Sequence, residues 1–356
     1  MIPFFFDGMD KQFTLRAAMA GVTALLASLL MGPRVIGWLR AKKLGERIEK
    51  DDSKRLDAMM KQKQGTPTMG GVFVVAAILL SLALFGNFRN PVLWVLTGVI
   101  LGLVAVGAKD DWLKLSGKSK TGMRARTKLL WQIGIALAAG VGLLLAHRAV
   151  DPAVAARLYI PFDGHVDLGW GYAALVALVI VSTTNAVNIT DGLDGLAGGC
   201  LSISTFAYAV VAYMVGRQDF SRHLEIAFVS SSAEVTVFCT AMLGATLGFL
   251  WFNSHPAQVF LGDSGSLPLG GALGLVACAT KQEILLLLIG GVFVIEAGSS
   301  LLQILSFKAT GRRVFLIAPL HHHFQFRGLP ETKITMRFWI VGAILAVSSL
   351  SLLKLR

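Results

Sequence analysis

The stretch that decides the fold is PVLWVLTGVILGLVAVGA, residues 91–108, followed at once by KDDWLK, residues 109–114. The first part is a continuous apolar run, and about 20 apolar residues in a helix cross the hydrocarbon core of a bilayer. Asp110 and Asp111 then place two carboxylates at the boundary of that run. Charge at a bilayer boundary costs free energy, so acidic residues there are candidates for function.

The composition of the whole chain indicates a membrane protein. Of its 356 residues, 54% are hydrophobic and only 15% are charged, and the mean hydropathy is +0.66. A soluble domain of this length carries far more charge. Because the apolar runs are continuous rather than alternating, they favour helices over the strands of a membrane barrel. The sequence therefore predicts an all-α integral membrane protein.

The net charge of +12 would suggest a nucleic-acid partner in a soluble protein. In a membrane protein, clustered Lys and Arg residues mark cytoplasmic loops, and they also attract anionic substrates or lipid head groups. We therefore expect no nucleic-acid partner. Cys200, Cys239 and Cys278 lie inside apolar runs without paired spacing, so we interpret them as small core residues.

Ten apolar segments are predicted to span the membrane, in a single transmembrane domain covering residues 1–356. Their predicted limits are Leu15–Leu39, Met69–Gly86, Pro91–Ala108, Leu129–His147, Leu168–Val187, Gly195–Val215, Val235–Phe252, Gly265–Thr280, Ile284–Leu305 and Arg337–Leu353. An even number of spans places both termini on one side of the membrane.

The distribution of basic residues orients these spans. Loops 40–68, 109–128 and 306–337 hold nine, seven and six of the 33 Lys and Arg residues. The positive-inside rule predicts that these loops are cytoplasmic and that both termini are periplasmic. The longest loop on the opposite side, residues 148–167, has room for a small hairpin or helix.

The pair Asp110-Asp111 has two interpretations. Adjacent carboxylates can bind a divalent cation, or one of them can act as a base, and Lys109 and Lys114 would tolerate a phosphate nearby. The alternative is a charged helix end that only orients the segment in the membrane.

A second acidic motif, NAVNITDGLDG at residues 185–195, favours function more strongly. Asp191 and Asp194 would share one face of a helix. Helix capping accounts for one of these carboxylates but not for both, and the loop also carries Asn188 and no basic residue.

Asp263 lies between glycine and serine at the start of a predicted span. It is a good helix N-cap, but it is also a plausible magnesium ligand beside free helix N–H groups that favour phosphate oxygens. The pattern alone does not decide between these interpretations.

Three adjacent histidines, His321, His322 and His323, cannot all point the same way on a helix. They are possible zinc ligands, but no cysteine cluster accompanies them. Binding of a nucleotide phosphate or ribose is favoured among so many basic neighbours.

Two further polar residues have competing interpretations. Lys63 precedes GTPTMGG (65–71), which is not a phosphate-binding P-loop, so Lys63 either contacts a phosphate or belongs to an ordinary basic loop. Glu296 lies within a predicted span and is expected to bond to a neighbouring helix, through Gln303 or another polar group, rather than to catalyse.

Taken together, the motifs resemble the phospho-N-acetylmuramoyl-pentapeptide transferase family. The matching stretches, in the family's order, are GTPTMGG at 65–71, KDDWLK at 109–114, NAVNITDGLDGLAGG at 185–199, FNSHPAQVFLGDSGSLPLG at 252–270 and APLHHHFQ at 318–325. The resemblance covers essentially the whole chain, including the ten-span topology. The first and last stretches look specific to this branch of the polyprenyl-phosphate sugar-1-phosphate transferases.

The resemblance implies a reaction and its participants. Phospho-N-acetylmuramoyl-pentapeptide passes from its UDP conjugate to undecaprenyl phosphate, with release of UMP and formation of lipid I. The implied cofactor is Mg²⁺, and the implied location is the bacterial inner membrane, with the site facing the cytoplasm. A homodimer is a further expectation from the family.

The resemblance also implies roles for individual residues. It makes Asp110, Asp111 and Asp263 the catalytic acidic cluster, with Asp110 as the candidate for deprotonating the lipid phosphate. It makes Asp263 and Asp191 metal ligands. The positions implied to bind substrate are Lys63, Thr68, Asn188, Asp191, Asp194, Asn253, His321, His322 and His323.

Two alternatives remain beside this interpretation. One is a sister enzyme that uses UDP-N-acetylglucosamine. The other is a cation-coupled transporter that uses intramembrane carboxylates, although the acidic residues cluster at one face rather than at the midplane. The sequence also leaves open a one-step transfer or a covalent aspartyl intermediate.

Overall fold

The computed structural model describes residues 13–42, 63, 65–116, 119, 122–160 and 164–353. These residues are mostly helical and include one short pair of strands. The elements in chain order are α1 (Phe13–Ala41), α2 (Gly71–Phe85), α3 (Pro91–Leu115), α4 (Ala125–Val150), β1 (Arg157–Ile160), β2 (Gly164–Asp167), α5 (Gly171–Thr190), α6 (Leu196–Val215), α7 (Gln218–His223), α8 (Ser232–Asn253), α9 (Asp263–Ala279), α10 (Leu286–Ile289), α11 (Gly291–Thr310), α12 (Leu320–Phe326) and α13 (Glu331–Leu352).

Eight helices of the described chain are long and apolar enough to cross a membrane: α1, α3, α4, α5, α6, α8, α11 and α13. Two shorter helices accompany them, α2 with 15 residues and α9 with 17. These ten helices correspond to the ten predicted spans. The prediction of an all-α polytopic membrane protein is confirmed.

Two predicted boundaries differ from the structure in ways that affect the site. The helix α3 continues to Leu115, past the predicted end at Ala108, so Asp110 and Asp111 are buried helical residues. The predicted span Ile284–Leu305 is divided at Gly290 into α10 and α11. Adjacent glycines at 290 and 291 favour this break because glycine has low helix propensity.

The helix α9 lies at the centre of the bundle, and all of its residues are buried. It packs against α3 and α5, and its first turns meet α2. Glycines allow these close approaches. A Cβ on Gly71 would lie 2.1 Å from the Cα of Gly265, and a Cβ on Gly107 would lie 2.1 Å from the carbonyl oxygen of Asp263. The small residues of α2 and α3 therefore set how closely the start of α9 approaches them.

The outer surface of the bundle is apolar. Leu30, Leu130 and Val347 are 66%, 69% and 65% exposed on three different helices. Leucines and valines on the outside, with glycines and polar groups between the helices, suit a protein surrounded by lipid rather than by water.

A two-stranded antiparallel hairpin, β1–β2, lies between α4 and α5, with Arg157 opposite Asp167. It falls in loop 148–167, where the sequence predicted a small hairpin or helix. Asp151 precedes the hairpin and accepts hydrogen bonds from the hydroxyl and backbone N–H groups of Ser230 and Ser231. The hairpin loop is therefore tied to the start of α8.

Helices α1 and α8 pack through the sequence Gly244-Ala-Thr-Leu-Gly248. A Cβ on Gly244 would lie 2.0 Å from the carbonyl oxygen of Gly21, and a Cβ on Gly248 would lie 2.6 Å from the Cβ of Ser28. Two small residues four apart let the backbones of neighbouring helices approach closely.

We predict that Gly244→Ala lowers the melting temperature of the detergent-solubilised protein. Its methyl group would separate α1 from α8, at a cost of about 1–3 kcal/mol, although alanine alone favours a helix by up to about 1 kcal/mol. The control is Gly98→Ala, where a Cβ meets nothing within 4 Å. A melting temperature that is equal in both variants would contradict this account of the α1–α8 contact.

Candidate active site

The three predicted catalytic residues meet at one end of the bundle. Asp110 and Asp111 lie near the end of α3, Asp263 is the first residue of α9, and all three are buried. One carboxylate oxygen of each residue lies within 4.8 Å of one oxygen from each of the other two. We call these three residues the acidic cluster. Their spacing and oxygen donors suit a hard divalent cation.

Two lysines neutralise much of the charge of the acidic cluster. Lys114 Nζ lies 2.6 Å from Asp110 Oδ2 and 2.9 Å from Asp263 Oδ2. Lys128 Nζ lies 2.6 Å from Asp263 Oδ2 and 3.8 Å from Asp110 Oδ2. Lys114 was noted in the sequence as a neighbour of the acidic pair, whereas Lys128 was not singled out, since its position at the start of α4 depends on the tertiary fold.

Asp111 differs from Asp110 in what it bonds. Its two carboxylate oxygens accept the backbone N–H groups of Asp263 (3.2 Å) and Ser264 (2.9 Å). Asp111 therefore caps the start of α9 from the neighbouring helix α3. A carboxylate at a helix start stabilises the otherwise unpaired N–H groups and interacts favourably with the helix dipole. Asp110 Oδ1 instead accepts the N–H of Met123, and its Oδ2 faces the two lysines.

Thr68 lies beside the acidic cluster. A Cβ on Gly262 would lie 2.7 Å from Asp111 Oδ2 and 2.8 Å from Thr68 Oγ1. Gly262 also has φ of +70°, in the left-handed region that favours glycine. The backbone before it is held by hydrogen bonds from the N–H groups of Gly70 and Gly71 to the carbonyls of Phe260 and Leu261. The GTPTMGG and GDSGS stretches are thus adjacent in space.

Lys63 and Asp194 belong to a second charged group, the Asp194 network, which also contains His255 and Glu331. Lys63 Nζ lies 2.7 Å from Asp194 Oδ1 and 2.5 Å from Glu331 Oε1. Asp194 Oδ2 lies 2.9 Å from His255 Nδ1 and accepts the N–H of Ala257. Glu331 also accepts the backbone N–H of Asp194 at 2.6 Å.

The environment of Asp194 sets its protonation. Burial alone would raise the pKa of this carboxyl, but the hydrogen bond and charge of Lys63, with the N–H of Ala257 and His255, lower the pKa below its ordinary value. Asp194 is therefore an ionised anchor for Lys63 at neutral pH.

Asn253 joins the Asp194 network to the start of α9. Its Oδ1 accepts the N–H of Gly195 at 3.0 Å, and its Nδ2 donates to the carbonyl of Val259 at 2.9 Å. Asn188 lies in the last turn of α5, where its carbonyl accepts the N–H of Asp191. Asp191 follows that helix and belongs to neither carboxylate group. Its role as a metal ligand stays a prediction.

The three histidines form the first part of α12 and have different surroundings. His321 bonds through Nδ1 to Glu296 Oε2 at 2.8 Å, and its backbone N–H donates to Glu296 Oε1 at 3.1 Å. His322 Nδ1 lies 2.7 Å from Gln325 Oε1, and His323 Nδ1 accepts the N–H of Leu316 at 3.1 Å.

Glu296 bonds to His321 and not to Gln303, the first of the partners that the sequence suggested. Gln303 instead bonds to the backbone of Val314 and Phe315. His255 and Glu331 also belong to this site, although the sequence motifs did not predict a role for either. His255 was visible in the FNSHP stretch. Glu331 lay in the predicted loop 306–337, which has no acidic motif, so only the fold reveals its contact with Lys63.

Comparison with known proteins identifies the family to which these motifs belong. The glycosyl transferase family 4 profile matches residues 93–281, and signature 1 of phospho-N-acetylmuramoyl-pentapeptide-transferase matches residues 63–75. The phospho-N-acetylmuramoyl-pentapeptide-transferase of Solidesulfovibrio magneticus is 45% identical over 349 residues, 97% of this chain and 95% of that protein. The chain belongs to the phospho-N-acetylmuramoyl-pentapeptide-transferase family.

Relatives from other bacteria agree with this assignment. The phospho-N-acetylmuramoyl-pentapeptide-transferase of Granulibacter bethesdensis is 45% identical over 356 residues, 99% of this chain and 97% of that protein. The one from Neisseria gonorrhoeae is 44% identical over 348 residues, 96% of this chain and 94% of that protein. The resemblance seen in the sequence motifs is confirmed, and the chain is a transferase.

We predict that the Asp194 network stabilises the protein with a defined pH dependence. Because the folded pKa of Asp194 lies below its ordinary value, the stabilisation is present above the unfolded pKa of about 4 and is lost as pH falls through the folded pKa. Asp194→Asn should lower the melting temperature by a similar amount from about pH 5 to pH 8.

The matched control is Asp219→Asn, which removes a carboxylate from an exposed pair with Arg217 and should change the melting temperature little. If the difference in melting temperature between wild type and Asp194→Asn disappeared anywhere between about pH 5 and pH 8, the prediction would be contradicted. Melting curves at several pH values in one detergent measure both variants.

Proposed function

We propose that this protein transfers phospho-N-acetylmuramoyl-pentapeptide from UDP-N-acetylmuramoyl-pentapeptide to undecaprenyl phosphate, releasing UMP and forming lipid I. The observation that carries the proposal is the buried acidic cluster at the ends of membrane helices, bridged by Lys114 and Lys128. Relatives that match almost the whole chain are phospho-N-acetylmuramoyl-pentapeptide-transferases, which supports the choice of substrate.

The location of the acidic cluster suits a reaction between a water-soluble diphosphate and a membrane-anchored phosphate. The two substrates can meet only at the boundary of the bilayer. Both are anions, so the transfer depends on positioning them and neutralising their charge. Lys114 and Lys128 are the nearest cations to the acidic cluster among the described residues, and we assign them to shielding the phosphates.

Mg²⁺ is the proposed cofactor. The carboxylates of Asp110, Asp111 and Asp263 provide the oxygen donors that this ion prefers, and Asp191 is retained as a predicted further ligand. When bound, Mg²⁺ would neutralise charge on the diphosphate and on the departing UMP. We assign Asp263 as the principal ligand. It is the first residue of α9, and its carboxylate lies close to those of Asp110 and Asp111 on α3.

Asp110 is the better candidate for accepting the proton of the lipid phosphate. Both oxygens of Asp111 are engaged by backbone N–H groups of α9, so protonating Asp111 would weaken that cap. Asp110 uses one oxygen for the Met123 N–H and directs the other towards the lysines. In this scheme the lipid phosphate attacks the diphosphate, the bond to UMP breaks, and the proton passes to Asp110.

The remaining predicted residues are assigned to binding the donor. Lys63 is paired with Asp194, and its Nζ lies over the ring of Phe260, 5.9 Å from the ring centroid. Thr68 is next to the acidic cluster, and Asn253 bonds to the backbone of Gly195, the residue after Asp194, and of Val259, which precedes α9. The positions proposed to contact donor are therefore Lys63, Thr68, Asn188, Asp191, Asp194, Asn253, His321, His322 and His323.

We further propose that the end of the bundle with the acidic cluster faces the cytoplasm of a bacterium. Most Lys and Arg residues lie in loops at this end, as the positive-inside rule requires. Both termini are then periplasmic, and residues 1–356 form one transmembrane catalytic domain in the inner membrane. A homodimer remains a prediction from the family.

The proposal is tested by measuring UMP release from UDP-N-acetylmuramoyl-pentapeptide by the purified full-length protein in detergent, with and without undecaprenyl phosphate and Mg²⁺. We expect UMP release to require both undecaprenyl phosphate and Mg²⁺. UDP-N-acetylglucosamine in parallel tests the sister-enzyme alternative. A folded protein that releases no UMP from either donor, but carries ion-dependent flux in vesicles, would favour the transporter.

We predict that Asp263→Asn lowers turnover by about 10²–10³-fold or more, because it removes a charged oxygen ligand from the acidic cluster. Asp219→Asn makes the same chemical change on an exposed surface helix and should retain activity. Near-normal UMP release by Asp263→Asn would refute the role assigned to Asp263.

We predict that Asp191→Asn raises the concentration of Mg²⁺ or donor needed for a half-maximal rate by about tenfold, the scale of losing one supporting ligand. Titrations of each component at saturating levels of the other measure the two effects separately. An unchanged dependence on both would count against placing Asp191 at the metal or the donor.

A further inference from the structure

Glu296 and His321 form a buried pair between α11 and α12. Both residues are 0% exposed. The carboxylate of Glu296 contacts His321 twice, through Oε2 to the ring Nδ1 and through Oε1 to the backbone N–H. Two contacts from one carboxylate fix both the position of the residue and the rotation of its ring.

The pair also fixes which ring nitrogen carries the proton. Glu296 accepts the backbone N–H through Oε1 and presents Oε2 to the ring, so this geometry assigns Nδ1 of His321 as the donor. The other ring nitrogen, Nε2, is then the atom that remains for another partner. Carboxylates that orient histidines in this way are common beside reacting groups.

Nε2 of His321 is buried and has no hydrogen-bond partner among the described residues. It lies against Gly192, where an added Cβ would be only 2.3 Å from it. Gly192 follows Asp191 in the DGLDG loop. Buried polar atoms in folded proteins nearly always have a partner, so an orphan at this position points to a ligand atom.

The other two histidines do not share this arrangement. His323 Nδ1 accepts the N–H of Leu316, and its ring packs against Phe315 and Phe324. This histidine therefore holds the segment that precedes α12. The Nδ1 of His322 is close to Gln325, in the same short helix. The ring of His321 is held by a buried carboxylate and lies against the DGLDG loop.

We propose that Glu296 is a positioning residue that fixes the tautomer and orientation of His321, so that Nε2 accepts a hydrogen bond from a hydroxyl oxygen of the donor at the Asp191–Gly192 turn. The inference rests on the proposed function, because the donor is the ligand that supplies this oxygen. Glu296 itself touches no substrate. It acts through His321.

The competing explanation is that Glu296 only anchors α12. Ser299 provides the comparison, because its hydroxyl accepts the N–H of Leu320 and donates to the carbonyl of Glu296. Ser299→Ala therefore loosens the start of α12 without touching the ring of His321. An anchoring role predicts similar effects of Ser299→Ala and Glu296→Gln, whereas a positioning role predicts very different ones.

The experiment measures kcat and KM for UMP release by wild type, Glu296→Gln, His321→Gln, the double variant and Ser299→Ala. In Glu296→Gln the amide can keep the backbone bond only by presenting its NH₂ group to Nδ1, which moves the ring proton to Nε2. We expect kcat to fall by about 10–100-fold or more. Ser299→Ala should stay close to wild type.

The double variant separates positioning from stability. If Glu296 acts through His321, adding Glu296→Gln to His321→Gln should cause no further loss of kcat. Losses that multiply in the double variant would overturn the inference, as would normal kcat in folded Glu296→Gln. Melting temperatures establish that each variant is folded.

Gly192→Ala tests the same contact from the other side and applies even if Glu296→Gln fails to fold. Its methyl group would displace the His321 ring, so kcat should again fall, and normal kcat would overturn the inference. Wild-type protein without UMP release would overturn the proposed function itself. Active wild type with unaffected Glu296→Gln and Gly192→Ala would overturn this inference alone.

Discussion

The site depends on how the buried start of α9 satisfies its backbone N–H groups. A helix that begins inside a protein cannot leave these donors to water, and Asp111 of α3 accepts two of them. The same contact brings Asp263, the first residue of α9, against Asp110 and Asp111. The requirement that orders the centre of the bundle therefore also assembles the acidic cluster.

The close approach of helices in this region follows from small residues rather than from large apolar ones. Lipid is as apolar as the bundle interior, so tight packing and hydrogen bonds must supply the preference for one arrangement. Gly71 and Gly107 allow α2 and α3 to reach the start of α9. A larger residue at either position would push the start of α9 away from α2 or α3 and so disturb the approach of Asp263 to Asp110 and Asp111.

The class of fold could be predicted from the sequence, and the residues of the acidic cluster could be selected as candidates, for physical reasons. Long apolar runs have few structural alternatives in a membrane, so the ten helices were predictable. Carboxylates at the ends of such runs are costly, which made Asp110, Asp111 and Asp263 visible as candidates. The resemblance of the motifs to a family then related these distant residues to one another, which their spacing alone did not.

Contacts between different helices were not predictable in the same way. Lys128 reaches Asp263 across 135 positions, and Glu331 reaches Lys63 across 268. Neither Lys128 nor Glu331 lies in a recognisable sequence motif. Their roles arise only because the fold brings them next to their partners. Glu296 was recognised as an internal polar group, but its partner could not be chosen, since the break at Gly290 and the turn before α12 decide which side chain it meets.

The two networks offer different sets of ligands to a cation: three carboxylates in the acidic cluster, and two carboxylates with His255 in the Asp194 network. In the acidic cluster three carboxylates face two ammonium groups, so one formal negative charge remains when all are ionised. In the Asp194 network the carboxylates of Asp194 and Glu331 both contact Lys63, whose ammonium group already occupies the position between them. Lys114 likewise lies between Asp110 and Asp263, and each network has one more carboxylate than ammonium groups. What distinguishes the acidic cluster is its third carboxylate, Asp111, which makes no ion pair with a lysine of the described residues and accepts backbone N–H groups instead. Under the proposed function, the metal and the phosphates bind at the acidic cluster, and the remainder of the donor binds at the Asp194 network.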